Sequence, residues 1–257
     1  MSWYLSLSEA IHELGNDNFF KQLVTAIEKK VPALSAVMYI MPKHQSPALL
    51  YQNYPAEVSI ATQQWLSGPY LLDPFYIKSF DGSPEDLYHL TDAAPDGFTE
   101  SHYYKSYYRD TDCNDEVCYL AHINTDLVVS LALARVGSSP LFTPAELSTF
   151  DTIKPLVISL IKQQSERMGN QTDENQRLIH QHLKEKLASF GEQLLTKRER
   201  EIVQLVFKGN SSKSMASRLH LSLDTINMHK RNAYKKLNIS SQSELFSLLI
   251  NRLSSHH

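Results

Sequence analysis

Near the C-terminus, one side of an amphipathic helix carries groups that are able to read DNA bases. At about 100° per residue, Asn227, Met228, Arg231 and Lys235 fall together. An arginine can bind a guanine edge with two hydrogen bonds, an asparagine can pair with adenine, and an apolar group can contact the thymine methyl. This face therefore suits the major groove of double-stranded DNA, although a solvated basic face has the same residue types. The residues predicted to face the core on the opposite side are Ile226, Ala233 and Leu237.

The boundaries of the helices around this face are marked in the sequence. Thr196 with Glu199 three residues later predicts a capping box, and Gly209 predicts the end of that helix. Ser211 and Ser222 are placed to cap a short helix and the longer helix that carries the base-reading groups. A short helix, a tight turn and a longer helix make a helix-turn-helix.

The same segment resembles the LuxR-type helix-turn-helix family in register. Residues 195–202 (LTKREREI) follow the pattern L-T-x-R-E-x-E-V, and residues 209–219 (GNSSKSMASRL) follow G-x-S-N-K-E-I-A-x-x-L. Residues 222–237 (SLDTINMHKRNAYKKL) follow S-x-x-T-V-K-x-H-x-x-N-I-x-x-K-L, except that Asn227 replaces the usual Lys and so predicts a different base preference. The DNA contacts that the resemblance implies are Ser212, Lys213, Thr225, Asn227, Met228, Lys230, Arg231 and Lys235.

The resemblance also implies partners. In this family the last helix commonly pairs two subunits, which implies a homodimer on an operator with two halves, and RNA polymerase is a further candidate partner. The residues that would carry the pairing are Leu245, Leu248, Leu249 and Arg252. The alternative, that some of these leucines only close the small domain, stays open.

The distribution of charge agrees with a DNA-binding C-terminus. The net charge of −3 divides into +7 from Leu194 onward and −10 for the residues before it. A basic segment on an acidic body indicates that the C-terminal part meets phosphate. No apolar run reaches membrane-spanning length, no signal peptide is recognised, and two cysteines do not form a disulfide framework; a cytoplasmic protein without membrane contact is expected.

The remaining sequence mixes helices and strands. Helix is predicted over 6–31 with a break at residues 15–16, over 58–66, over 101–108 and from Thr143 towards Lys162; strands are predicted over 36–41, 48–54, 117–123 and 127–136, and a loop over 80–97. The predicted fold class is α+β. A GAF/PAS-like α/β/α sandwich with a central antiparallel sheet (1–165) and a linker (166–193) precede an all-α four-helix DNA-binding domain (194–257).

The front domain is predicted to sense a small molecule. A phosphoreceiver is excluded because no acidic cluster follows the first predicted strand, and no glycine-rich phosphate loop is present. The stretches Tyr54-Pro55 and 70–74 (YLLDP) resemble the autoinducer-binding class. That class has a Trp and a Tyr where this chain has Val58 and Thr62, so a ligand other than an acyl-homoserine lactone is expected. A lactone receptor and a front domain that only dimerises remain the alternatives.

The candidate pocket is aromatic with one carboxylate. Such a pocket suits a ligand with an amine or amide, although the aromatics could equally be core and Asp73 could only cap a turn. The candidate ligand-binding residues are Tyr54, Trp65, Tyr70, Asp73, Phe75, Tyr103, Tyr107 and Tyr119.

Other chemistry is less well supported by the sequence. His180 and His182 lack a third metal ligand, and Cys113 and Cys118 are expected to be ordinary thiols. The acidic group Asp112, Asp115 and Glu116 has no matching nucleophile. We therefore expect no enzyme activity, no metal and no cofactor.

Overall fold

The N-terminal part of the chain is built on a five-stranded antiparallel sheet. The computed structural model describes residues 2–54, 62–109, 111–168 and 174–254. The strands are β1 (Ser35–Pro42), β2 (Ala48–Gln52), β3 (Asp86–His89), β4 (Cys113–Asn124) and β5 (Leu127–Val136). Their order is β2-β1-β5-β4-β3, which places the β4–β5 hairpin between β1 and β3. The predicted α+β class with a central antiparallel sheet is confirmed.

Three helices cover one face of the sheet. They are α1 (Trp3–His12), α2 (Phe19–Glu28) and α4 (Pro144–Met168). Helix α3 (Pro74–Phe80) lies on the other face. Side chains alternate between the two faces of a strand. Val117 and Tyr119 of β4 therefore pack with α2 and α4, whereas Cys118 and Leu120 face the opposite side.

The C-terminal part consists of helices. They are α5 (Glu174–Ala188), α6 (Lys197–Phe207), α7 (Ser212–Leu219), α8 (Leu223–Lys236) and α9 (Gln242–Ser254). Thr196 and Glu199 form the predicted capping box, and Ser211 and Ser222 cap α7 and α8. Gly209 has φ +80°, as expected for a glycine that ends a helix. The predicted four-helix arrangement α6–α9 is confirmed.

Several predicted boundaries need correction. The segment 80–97, predicted as a loop, contains the edge strand β3 and a short helix (Leu90–Ala93). The helix predicted from Thr143 towards Lys162 is longer than expected, because α4 continues to Met168. Of the helix predicted over 58–66, residues 62–66 are helical, and 55–61 lie outside the described residues.

The C-terminal domain packs against the cavity side of the sheet domain. The Ser211 N–H donates to the carbonyl oxygen of Asp96 at 2.6 Å. A Cβ atom on Gly209 would lie 2.9 Å from Cδ2 of Phe98, and one on Gly97 would lie 2.9 Å from Cβ of Ser211. At Gly97 and Gly209 the two domains thus approach each other so closely that a side chain would not fit. One apolar cluster extends from the sheet into α6–α9.

Candidate ligand cavity and DNA-reading helix

A cavity of about 100 Å³ lies between the sheet and the segment 62–111. Its floor is the face of β1, β4 and β5 that does not carry α1, α2 and α4. Among the described residues that line it, none is Lys, Arg or His, and two are acidic. Its lining includes Tyr39, Tyr54, Thr62, Trp65, Asp73, Phe75, Tyr103, Tyr107, Tyr108, Thr111, Cys113, Glu116, Cys118 and Ser130.

Asp73 is a buried carboxylate that four donors already satisfy. Its Oδ1 accepts the backbone N–H groups of Phe75 at 2.8 Å and Tyr76 at 3.1 Å, which caps α3. Its Oδ2 accepts the Tyr103 hydroxyl at 2.9 Å and Nε1 of Trp65 at 3.2 Å. Burial raises the pKa of Asp73, while these hydrogen bonds lower it. Asp73 therefore both caps a helix and orients two rings of the cavity wall.

Glu116 is the second carboxylate of the cavity. It is buried on β4, and burial raises its pKa to about 8, helped by the negative charge of Asp73. A hydrogen bond with Tyr108 acts in the opposite direction but is weaker. A carboxyl group in this setting is mostly protonated at neutral pH.

The wall above the carboxyl groups is aromatic. Tyr39 and Trp65 are stacked with ring centroids 4.4 Å apart, and Tyr103 lies 4.9 Å from Tyr107. Such rings bind apolar or cationic groups over their faces.

Six of the eight predicted pocket residues line the cavity, namely Tyr54, Trp65, Asp73, Phe75, Tyr103 and Tyr107. The structure corrects the other two. Tyr119 lies on the opposite face of the sheet, where its hydroxyl donates to the carbonyl oxygen of Phe150 at 2.9 Å. Tyr70 lies behind Trp65, and its hydroxyl is 2.7 Å from Nδ1 of His180 on α5.

Sequence reasoning missed Glu116 and Tyr39 as cavity residues. Strand alternation contains the signal, because Glu116 and Cys118 share one face of β4 while Val117 and Tyr119 share the other.

The residues considered for other chemistry make ordinary structural contacts. His180 is buried against Tyr70 and has its pKa lowered to about 4 by burial, and no metal-binding cluster occurs among the described residues. Cys113 and Cys118 are buried free thiols, and burial raises the pKa of each. The carboxylate of Asp115 already has two partners: its Oδ1 lies 2.5 Å from Nε2 of His89, and its Oδ2 accepts the Phe142 N–H at 2.8 Å.

The second candidate site is the exposed face of α8. Ile226 and Ala233 are fully buried, whereas Asn227, Met228, Arg231 and Lys235 are exposed. The two faces therefore lie as the helical periodicity predicts. The half-buried residues of the predicted DNA-contact set are Ser212, Thr225 and Lys230.

Lys213 is exposed on the first turn of α7, whose N-terminus is capped by Ser211. A lysine at this position suits a phosphate contact, which fixes register without reading sequence. We expect Lys213→Ala to weaken binding to every DNA sequence and to reduce the slope of log K against log salt by about 0.9. Fluorescence anisotropy over a salt series measures this slope. An unchanged slope would rule out the phosphate contact.

The predicted pairing residues on α9 divide into two groups. Leu245 and Leu249 are fully buried within the chain itself, so in this conformation they are not available to a second subunit. Leu248 is 39% exposed, and Arg252 is exposed with its guanidinium donating to Ser189 at 2.9 Å. Of the four predicted pairing residues, Leu248 and Arg252 thus lie at the surface, and Leu194 is exposed nearby.

Comparisons with known proteins find transcriptional regulators among the relatives of this chain. The chain is 27% identical over 186 residues to an HTH-type transcriptional regulator in the exeN 3' region of Aeromonas salmonicida, covering 70% of this chain and 94% of that protein. It is 26% identical over 234 residues to the Monoamine regulon transcriptional regulator of Klebsiella aerogenes, covering 90% of each chain.

The N-terminal fold also has a solved counterpart. The VqsR LBD domain from Pseudomonas aeruginosa superposes with a TM-score of 0.56 and 26% identity, covering 63% of this chain and 94% of that one. Residues 193–249 match the family described as bacterial regulatory proteins, luxR family. With its capped helices and the exposed polar face of α8, the C-terminal part of this chain is a helix-turn-helix domain that belongs to the luxR family.

Proposed function

We propose that this chain is a transcription regulator whose binding to DNA is controlled by a small molecule in the cavity. The observation that carries the proposal is the position of Tyr103. Its hydroxyl donates to Asp73 in the cavity, and its ring lies 6.4 Å from that of Phe246 on α9. One residue therefore contacts both the candidate effector site and the DNA-binding domain.

Phe98 provides a second contact between the cavity wall and the C-terminal domain. Its ring lies 5.9 Å from Tyr103 and 5.6 Å from Tyr108, and its Cδ2 is 2.9 Å from the place that a Cβ on Gly209 would take. A ligand that moves either tyrosine changes the packing at the start of α7. Because close-packed interfaces switch between discrete arrangements, a small movement in the cavity can shift the whole domain.

The relatives support a small-molecule effector but leave its identity open. The relative from Klebsiella aerogenes is named for a monoamine regulon, and an amino group is compatible with the carboxyl groups of this cavity. Val58 and Thr62 replace the aromatic residues of the lactone-binding class, which argues against an acyl-homoserine lactone. Mass spectrometry of small molecules released from purified protein would distinguish an amine, a lactone and an empty front domain. No catalytic role is proposed for the cavity.

The DNA-reading role is tested most directly at Arg231, which is exposed one turn beyond Asn227 and Met228. We expect Arg231→Ala to cost about 1–3 kcal/mol on the preferred site and to relax preference at one base position, because a bidentate contact to guanine is lost. Selection of binding sites from random DNA with wild type and variant measures both effects.

Lys213→Ala is the matched control for that selection. Its binding should weaken on all sequences while the selected motif stays the same, because a phosphate contact does not read bases. If Arg231→Ala gives the same pattern, Arg231 holds a phosphate and does not read a base.

We further propose that the DNA-bound form is a homodimer on two half-sites about one DNA turn apart. Leu248, Arg252 and Leu194 supply the surface for pairing when the chain keeps the conformation described above. RNA polymerase is a further partner that this arrangement permits.

A further inference from the structure

We infer that the cavity is a receptor site for an organic cation and that Glu116, not Asp73, is the counter-ion of its amino group. This inference rests on the proposed role of the cavity as an effector site. It adds to that role a chemical class of ligand and a residue that recognises it. The two carboxyl groups of the cavity differ in how many donors they already accept, and that difference carries the assignment.

Asp73 has little capacity left for a ligand. Two backbone N–H groups, the Tyr103 hydroxyl and Nε1 of Trp65 occupy its oxygens within 3.2 Å. A ligand that bonded directly to Asp73 would have to displace a helix cap or one of the two rings that Asp73 orients.

Glu116 has that capacity. It is buried in the cavity wall, and Tyr108 is the partner that its side chain has for a hydrogen bond among the described residues. The titratable groups that share the cavity with it include Asp73, Tyr108, Tyr39, Tyr54, Cys113 and Cys118. Asp115, the adjacent residue of β4, adds a negative charge but binds the Phe142 N–H and His89 outside the cavity. These neighbours are acidic or neutral, so no positive charge among the described lining residues neutralises a Glu116 carboxylate.

A protonated amine supplies the missing positive charge. It can donate to Glu116 while the faces of Tyr39, Trp65 and Tyr107 pack around its carbon skeleton and its charge. The exchange is balanced: the carboxylic acid of Glu116 loses its proton to solvent, and the resulting carboxylate pairs with the ammonium group. An uncharged ligand of the same shape does not drive that ionisation.

The pH dependence of binding has a definite sign. Burial raises the pKa of Glu116 to about 8, so the empty site must lose a proton to pair with a cation at lower pH. The affinity for an amine should therefore rise by up to about tenfold per pH unit between roughly pH 6 and 8, and then level off. The affinity for a neutral isostere should not change over this range.

The experiment compares 2-phenylethylamine and butylamine with the alcohols of the same skeletons, 2-phenylethanol and 1-butanol. Binding to the full chain is measured by calorimetry and by thermal shift at several pH values. We expect both amines to bind more tightly than their alcohols. We expect Glu116→Gln to lose at least tenfold in amine affinity and to lose the pH dependence. Glu100→Gln, on an exposed neighbouring segment, is the control and should bind as wild type does.

The remaining outcomes overturn the inference. They are alcohols that bind as tightly as the amines, amines that do not bind at millimolar concentration, and Glu116→Gln binding the amines unchanged. If Glu116→Gln does not fold, a flat pH profile of the wild type with the amines contradicts it equally. Octanoyl-homoserine lactone is added as a further uncharged probe. If this lactone or an alcohol binds and the amines do not, the assignment of an organic cation is wrong, but the role of the cavity as an effector site is still supported. If no probe binds and the purified protein releases no small molecule, the effector role itself fails.

Discussion

Replacing Asp73 by alanine should destabilise the chain by about 3 kcal/mol. The substitution removes the cap of α3, which is typically worth about 0.5–2 kcal/mol, and leaves the buried hydroxyl donor of Tyr103 without its acceptor, at about 1–3 kcal/mol. Nε1 of Trp65 keeps one acceptor, because it also donates to the Tyr103 hydroxyl at 2.9 Å. Part of this loss is offset because the buried carboxylate, whose pKa is raised, no longer has to be desolvated. Thermal unfolding should shift down by roughly 10 °C.

Asp126→Ala is the matched control for this result. Asp126 lies in the β4–β5 turn with its side chain 59% exposed, so its loss should change stability by less than about 0.5 kcal/mol. If Asp73→Ala were equally harmless, then its four hydrogen bonds would contribute nothing net to stability. The role of Asp73 in orienting the cavity wall would then be untenable.

The C-terminal domain could be predicted from sequence because its signals are local. Capping by Thr196, Ser211 and Ser222 depends on residues two or three positions away, and the apolar face of α8 depends on one helical period. Such interactions form before any distant contact is made, so the sequence pattern and the structure coincide.

The cavity was only partly predictable, because its face is decided by strand register. Glu116 and Cys118 lie on the same face of β4, which lines the cavity. The sequence predicts that this strand starts at Val117, so Glu116 falls outside the predicted strand. Tyr119, one position from Cys118, points to the other face for the same reason. The edge strand β3 was missed because its four residues are ordered by pairing with β4, about thirty residues away.

The contact between the two domains had no signal in the sequence. Phe98 follows a segment rich in turn residues, and Phe246 follows the leucine pattern of α9. Only the folded chain brings Phe98 to Gly209 and Phe246 to Tyr103, across more than a hundred residues. Residues that couple a cavity to a distant domain depend on tertiary packing of this kind, which local patterns do not encode.

Phe246→Asp should separate the C-terminal domain from the sheet domain. Phe246 is buried against His102 at 4.9 Å and Tyr103 at 6.4 Å, whereas its neighbours Leu245 and Leu249 are fully buried in the apolar cluster of the chain. Loss of its packing costs about 3–5 kcal/mol, and an unpaired carboxylate in its place costs more. We expect scanning calorimetry to give two unfolding transitions for this variant and one for the wild type. We also expect the DNA affinity of the variant no longer to respond to 2-phenylethylamine.

Leu248→Asp is the control that distinguishes loss of the contact between the two domains from loss of dimer formation. Leu248 lies on the same helix as Phe246 but is 39% exposed. The Leu248→Asp protein should keep a single transition and its response to the amine, while its affinity for a site with two halves falls towards that for a single half. A Phe246→Asp protein that still unfolds in one step and still couples amine binding to DNA binding would show that the Tyr103–Phe246 contact transmits nothing. The reason for expecting the opposite is geometric: a ring that lies between a cavity residue and the last helix cannot be replaced by a charge without either the cavity or the helix moving away.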